Sequence, residues 1–293
     1  MKPFFRYQGG KQYMATKLVD LIPDHKIYCE PFAGAASLLF AKPIKQVSNK
    51  SDYLEILNDQ LNVLVIFYEQ AKINTEALFN LIDSRLYSEY WHSIGKEIIK
   101  NQSNYSLLEI AWATFYLLNI SFGGGMNKGF GYGKNTRNLS KSFSNKILEF
   151  KTKCERLKSV TIHNKDALQI IKYYDSPQTF FYVDPPYINT DQSHYKGYSV
   201  EDYIALIDIL KDCKGKILLS GYQNEYAPDN WNYLTYDTVC HVQKTNTHRD
   251  ARTEYLWYNY ELPRNHKFMS HKIENNDPKI QYPLFSFDNG NNS

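Results

Sequence analysis

The stretch TFFYVDPPYINT, residues 179–190, begins as an apolar strand and stops at an acid, two prolines and a tyrosine. A Pro-Pro pair cannot continue a sheet ladder, so DPPY must leave the strand at its carboxyl edge. There Asp184 offers a charged acceptor, Pro185 a carbonyl that no ladder uses, and Tyr187 a ring face. Those three groups match the needs of a planar heterocycle that carries an amino group. A turn with an acidic cap would explain where the strand ends, but not why these groups stand together.

A second stretch, KIYCEPFAGAASLLF, reads as a strand, a small-residue turn and the start of a helix. Gly34, flanked by Ala33, Ala35 and Ala36, would let a ligand approach the backbone closely at a helix N-terminus. A following strand, YLEILND, ends at Asp59, an acid that could accept hydrogen bonds from a ribose diol or a base. Together these features suggest a nucleoside-containing ligand, although small residues after a strand also serve tight helix packing.

Elements that would position these residues can be read around them. The first two strands and the helix between them form a β-α-β opening, and apolar residues recur at helical spacing from about 61 to 120. A glycine-rich segment, SFGGGMNKGFGYG, breaks that pattern. Strand-like segments return at VTIHN, TFFYV, KILLSG and EYLWYNY, separated by the helical stretches DALQIIKYY and VEDYIALIDILKD. Such alternation implies an α/β fold, a mainly parallel sheet with helices on both faces. The expected division is a discontinuous catalytic domain, 1–65 and 155–265, around a helical and basic insert, 66–154, with a polar tail, 266–293.

With 43% apolar residues among 293, the chain can bury a substantial core. No stretch approaches the roughly 20 apolar residues of a membrane span, and the N-terminus MKPFFRYQGGKQYM lacks a signal peptide's apolar region. A cytoplasmic location is expected. The four cysteines form no C-x-x-C pair and the eight histidines no metal-ligand spacing, so neither a disulfide framework nor a metal site is expected. The net charge of +3 is unevenly spread: residues 126–158 hold nine Lys or Arg against two Glu, and the remainder is net acidic. That segregation suggests a surface for a polyanion, against the alternative of a solvated helix face.

The motifs RYQGGK near the N-terminus, PFAGAAS and DPPY, in that order, resemble the three signatures of N6-adenine-specific DNA methyltransferases of the Dam type. Their spacing resembles the subgroup whose target-recognition insert lies between the cofactor and catalytic motifs, and the similarity extends from residue 4 to about residue 260. Two departures stand out: Ala36 replaces a second glycine of many relatives, and the insert carries no motif that reveals a target sequence. The resemblance implies a Rossmann-like S-adenosylmethionine-dependent methyltransferase sheet acting on double-stranded DNA. Residue by residue it implies Tyr7, Lys11, Phe32, Gly34, Asp59 and Asp184 at the S-adenosyl-L-methionine site, and Asp184, Pro185 and Tyr187 as the catalytic group. Asp166 would contact the donor's adenine, although an N-cap before ALQII explains it equally well. Lys128, Lys134 and Arg137 in the basic run would contact DNA, and a cognate restriction endonuclease is a further candidate partner. The sulfonium donor is already activated, so the chemistry asks for no metal. Alternatives are an N4-cytosine DNA or RNA adenine methyltransferase, or an inactive DNA-binding relative. A nucleotide-dependent oxidoreductase fits less well, because a full G-x-G-x-x-G is missing.

Overall fold

Apolar β-formers recur where the chain must cross the middle of the molecule, and a computed structural model shows how they assemble. It describes residues 1–7, 10–44, 53–133, 138–187, 198–239 and 251–268. The chain runs α1 (Ala15–Val19), β1 (Ile27–Glu30), α2 (Ser37–Ala41), β2 (Leu54–Asn58), α3 (Asn62–Ile73), α4 (Thr75–Asp83), α5 (Glu89–Lys100) and α6 (Leu107–Ile120). It continues through α7 (Leu139–Leu148), α8 (Phe150–Leu157), β3 (Val160–His163), α9 (Ala167–Tyr174), β4 (Thr179–Val183), α10 (Val200–Asp212), β5 (Lys216–Tyr222), β6 (Asn232–Val239) and β7 (Ala251–Tyr258).

Among the described residues seven strands form one sheet of order β3-β2-β1-β4-β5-β7-β6. β1 pairs in parallel with both β2 and β4, and β2–β3 and β4–β5 are parallel as well. β7 runs antiparallel to β5 and to β6. This is a Rossmann-like, mainly parallel sheet with an antiparallel strand pair at one edge. β6 lies outside the strands expected from the sequence: its residues NYLTYDTV mix polar and apolar types, as an edge strand that is paired on one side allows.

Side-chain alternation along the strands divides the core into two faces. Phe180 and Tyr182 of β4 join Tyr28, Leu57 and Leu218 on one face, where Phe67, Phe115 and Phe150 of α3, α6 and α8 cover them. Phe181 and Val183 join Cys29, Ile56 and Leu219 on the other, covered by α9 and α10 through Ile171, Leu206 and Leu210. α6 is buried almost all round and opens with a capping box between Ser106 and Glu109, so its LLEIAWATFYLLNI sequence is that of a core helix. α3 and α8 run through residues 65 and 155, where composition suggested domain boundaries.

The N-terminal segment is tied to the helical layer by rings. Phe4 meets Phe40, Phe67 and Phe150 with centroids 5.4, 5.0 and 5.3 Å away, and Asn119 Nδ2 donates to the Phe4 carbonyl at 3.3 Å. These contacts fix where Tyr7 and Lys11 can reach. Below the sheet's opening strands, Arg156 Nη1 and Nη2 donate to the two carboxylate oxygens of Glu55 at 2.6 and 2.7 Å, and Lys42 joins the same carboxylate. Arg156 and Lys153 are 4% and 3% exposed, so part of the basic run is internal and cannot form a polyanion surface. No helix among the described residues is long and apolar enough to cross a membrane.

Candidate active site

β1 and β4 are neighbours in the sheet, yet the chain leaves them in opposite directions, β1 toward β2 and β4 toward β5. Ligands of open α/β sheets collect outside the carboxyl ends of the strands at such a switch point. The end of β1 leads into Gly34, whose φ of +48° is left-handed. Asp59, at the end of β2, braces the turn: its Oδ2 accepts from Gly34 N and its Oδ1 from Leu61 N, both at 2.8 Å. Tyr68 OH donates to the Gly34 carbonyl at 2.7 Å. A β-carbon at Gly34 would lie 3.1 Å from the Tyr7 ring, so a side chain there would be strained by φ and would crowd that ring. Ala36 also has a positive φ, +50°.

Between this turn and the end of β4 lies a solvent-open cleft. Tyr7, Lys11, Phe32, Gly34, Asp184, Pro185 and Tyr187 all line it, although they come from three separate stretches of sequence. Asp59 lies beneath the turn and is 3% exposed. Asp166 is exposed, and its Oδ1 caps α9 by accepting from Leu168 N and Gln169 N. Lys128 is exposed in the loop between α6 and α7, and Lys134 and Arg137 lie outside the described residues.

Lys11 is the electrostatic centre of the cleft. Its Nζ stands 3.2 Å from Asp184 Oδ1 and 3.2 Å from Glu254 Oε2, and it donates to Tyr187 OH. Burial opposes its charge, but Asp184, Tyr187 and Glu254 outweigh that and hold it protonated. Burial pushes the Asp184 carboxyl up, against the pull of Lys11. The Tyr187 hydroxyl is pushed well up by burial and then by Asp184, to which it donates at 3.3 Å.

Several residues in the cleft or against its Lys11 were not expected from the sequence. Glu30 ends β1 inside the cleft; its Oε1 accepts from Tyr28 OH at 2.6 Å and Leu39 N at 2.8 Å, and burial pushes it up to about 7. An acid closing an otherwise apolar strand, directly before PFAG, was the available signal. Ser37 and Tyr182 also line the cleft, and their hydroxyls are buried with no hydrogen-bond partner among the described residues. Glu254 sits in β7 among aromatic residues, and nothing near it in sequence marks it.

This donor set fits a nucleoside-linked amino acid. Glu30 suits an ammonium, Ser37 and Tyr182 offer hydroxyls that lack a partner among the described residues, and the Gly34 turn admits close approach. At the same cleft, Asp184 and Pro185 offer adjacent acceptors beside the Tyr187 ring.

The chain matches the family model of D12 class N6 adenine-specific DNA methyltransferases over residues 7–248. It is 24% identical over 230 residues to the Type II methyltransferase M.MjaIII of Methanocaldococcus jannaschii, covering 69% of this chain and 75% of that one. Among solved structures it is similar to the putative methyltransferase yhhF of Escherichia coli at a TM-score of 0.32 and 12% identity, over 86% of this chain and 85% of that one, a likeness too slight to bear on function.

Proposed function

This chain belongs to the D12 class N6 adenine-specific DNA methyltransferases, and on that premise we propose that its cleft moves a methyl group from S-adenosyl-L-methionine to the N6 amine of an adenine flipped out of DNA. The observation that carries this reading is the meeting of the Gly34 turn and the Asp184–Tyr187 segment in one cleft at the switch point.

The donor, when bound, supplies a methyl group on a sulfonium that is already an activated leaving group. Tyr7, Phe32, Gly34 and Glu30 would hold it, with Asp59 acting from beneath by fixing the turn. For Asp166, its use as the α9 cap supports a structural role more than contact with the donor's adenine.

Adenine's exocyclic amine is a poor nucleophile, because its lone pair is delocalised into the ring. Hydrogen bonds from its two N–H groups to the Asp184 carboxylate and the Pro185 carbonyl would turn that lone pair toward the methyl group and stabilise charge developing on nitrogen. Burial raises the Asp184 carboxyl, which favours it as the acceptor of the proton that the amine sheds. Flipping the base costs a few kcal/mol. Stacking on Tyr187, worth roughly 1–3 kcal/mol, offsets much of it.

The helical segment 66–154 is the proposed target-recognition region, with Lys128, Lys134 and Arg137 as phosphate contacts; a cognate restriction endonuclease is a proposed partner. Expression in a host without adenine or cytosine methylation, followed by mapping of modified bases, tests the reading. N6-methyladenine in one sequence context is the expected result. N4-methylcytosine would move the reading to the other amine, and unmodified DNA beside folded protein would overturn it.

A further inference from the structure

Lys11 stands where the base must go. It holds the Asp184 oxygen that would receive an amine N–H, and its Nζ lies 4.7 Å from the centroid of the ring on which the base would stack. When the amine takes that same oxygen, this ammonium has to release it. Lys11 is 2% exposed, and a buried ammonium that loses its carboxylate without finding another is strongly destabilised.

A second carboxylate is already in place. Glu254 Oε2 is 3.2 Å from Lys11 Nζ, Glu254 is 5% exposed, and Tyr236 OH donates to the same Oε2. In the sheet Glu254 is registered opposite Tyr222 of β5 on one side and Tyr236 of β6 on the other. Residues so opposed share a face. The Tyr222 ring in turn meets the Tyr187 ring at 4.7 Å and 64°. One rung of the antiparallel edge therefore supports the stacking ring through Tyr222, offers Lys11 a counter-charge through Glu254, and fixes that carboxylate through Tyr236.

We propose that Glu254 is a positioning residue of this site, which keeps hold of the Lys11 ammonium when the target amine claims Asp184. The inference rests on the methyl-transfer reading above. It gives the β5–β7–β6 edge a role in the reaction cycle: Glu254 keeps the ammonium neutralised while Asp184 changes partner.

The test measures transfer of labelled methyl groups to DNA from an unmethylated host, alongside donor affinity by calorimetry. Glu254→Gln keeps the shape and an acceptor for Tyr236 but removes the charge. It should lower kcat by at least about tenfold with donor affinity unchanged. In a Lys11→Met background there is no ammonium to relocate, so Glu254→Gln should cause no further loss. Tyr236→Phe should slow the wild type less than Glu254→Gln does, and should add nothing to Glu254→Gln; this second cycle decides the matter if Lys11→Met has no measurable turnover. Wild-type kcat in Glu254→Gln, or the same fold loss with and without Lys11, would overturn the proposal. A wild type that transfers no methyl would instead sink the underlying reading, before any variant is compared.

Discussion

Asp184 directly follows β4 with its carboxylate engaged by Lys11 and Tyr187, so its position in the cleft is fixed. Asp184→Asn keeps the shape but loses the charged acceptor. A fall in kcat of about 10²–10³, by analogy with loss of one preorganised electrostatic partner, is expected, with donor affinity retained. Single-turnover methyl transfer together with calorimetry checks both parts. Glu30 makes a pH prediction at the same scale. Burial pushes it up to about 7, with the hydrogen bonds from Tyr28 and Leu39 opposing, so below neutrality it is protonated. If it pairs with the donor's ammonium, donor binding should strengthen as pH rises through about 7, and Glu30→Gln should flatten that dependence in titrations on either side of neutrality. The sign for folding is opposite. A carboxyl raised in the folded state contributes stability that is full below its unfolded pKa and is lost as pH rises through about 7.

At the scale of elements, the turn after β1 is the least forgiving part of the site. Gly34 combines a φ of +48° with a Tyr7 ring that a β-carbon would meet at 3.1 Å. Gly34→Ala should cost about 1–2 kcal/mol from the left-handed backbone, and more from displacing Tyr7, with weaker donor binding. Gly123 makes the control: its φ is +65° but nothing lies within 4 Å of an added β-carbon. Gly123→Ala should show the backbone cost in chemical denaturation and leave donor affinity unaltered. Equal donor affinity in both variants would mean that Tyr7 does not shape the donor site. Asp59 and Tyr68 matter at this scale too, since they hold the turn from beneath through Gly34 N and the Gly34 carbonyl.

For the whole molecule, the basic run divides into inner and outer charges. Arg156 belongs to a buried ion pair with Glu55, so Arg156→Met should cost about 3–5 kcal/mol by leaving Glu55 short of its bidentate partner. The salt dependence of DNA binding should not change in that variant. Lys128 and Lys141 are exposed. If they neutralise phosphates, reversing both to Glu should make the slope of log affinity against log salt shallower by about 0.9 for each phosphate no longer neutralised, while the melting temperature stays nearly constant. An altered slope in Arg156→Met, or an unaltered one in the double reversal, would place the DNA surface elsewhere on the helical layer.

Local chemistry was legible in the sequence wherever its cause was local. Two prolines end a strand whatever surrounds them, so the Asp184–Tyr187 turn could be read directly, and small residues after an apolar strand marked the Gly34 turn. Apolar periodicity gave the α/β class, because helices and strands must each bury one face or stripe. Distant pairings were not legible. Lys11 meets Asp184 only because β4 lies beside β1 and the Phe4 ring cluster fixes the N-terminal segment; it meets Glu254 only because β7 pairs antiparallel with β5. The mixed pattern of β6 hid an edge strand that carries Tyr236 into the site. Charge counting could not separate Arg156 and Lys153 from the exposed lysines, since burial depends on which face of α8 the fold covers. Sequence thus determined the candidate groups and the kind of sheet that presents them. Tertiary structure decided which charges face one another, because strand order and register join residues that no local rule connects.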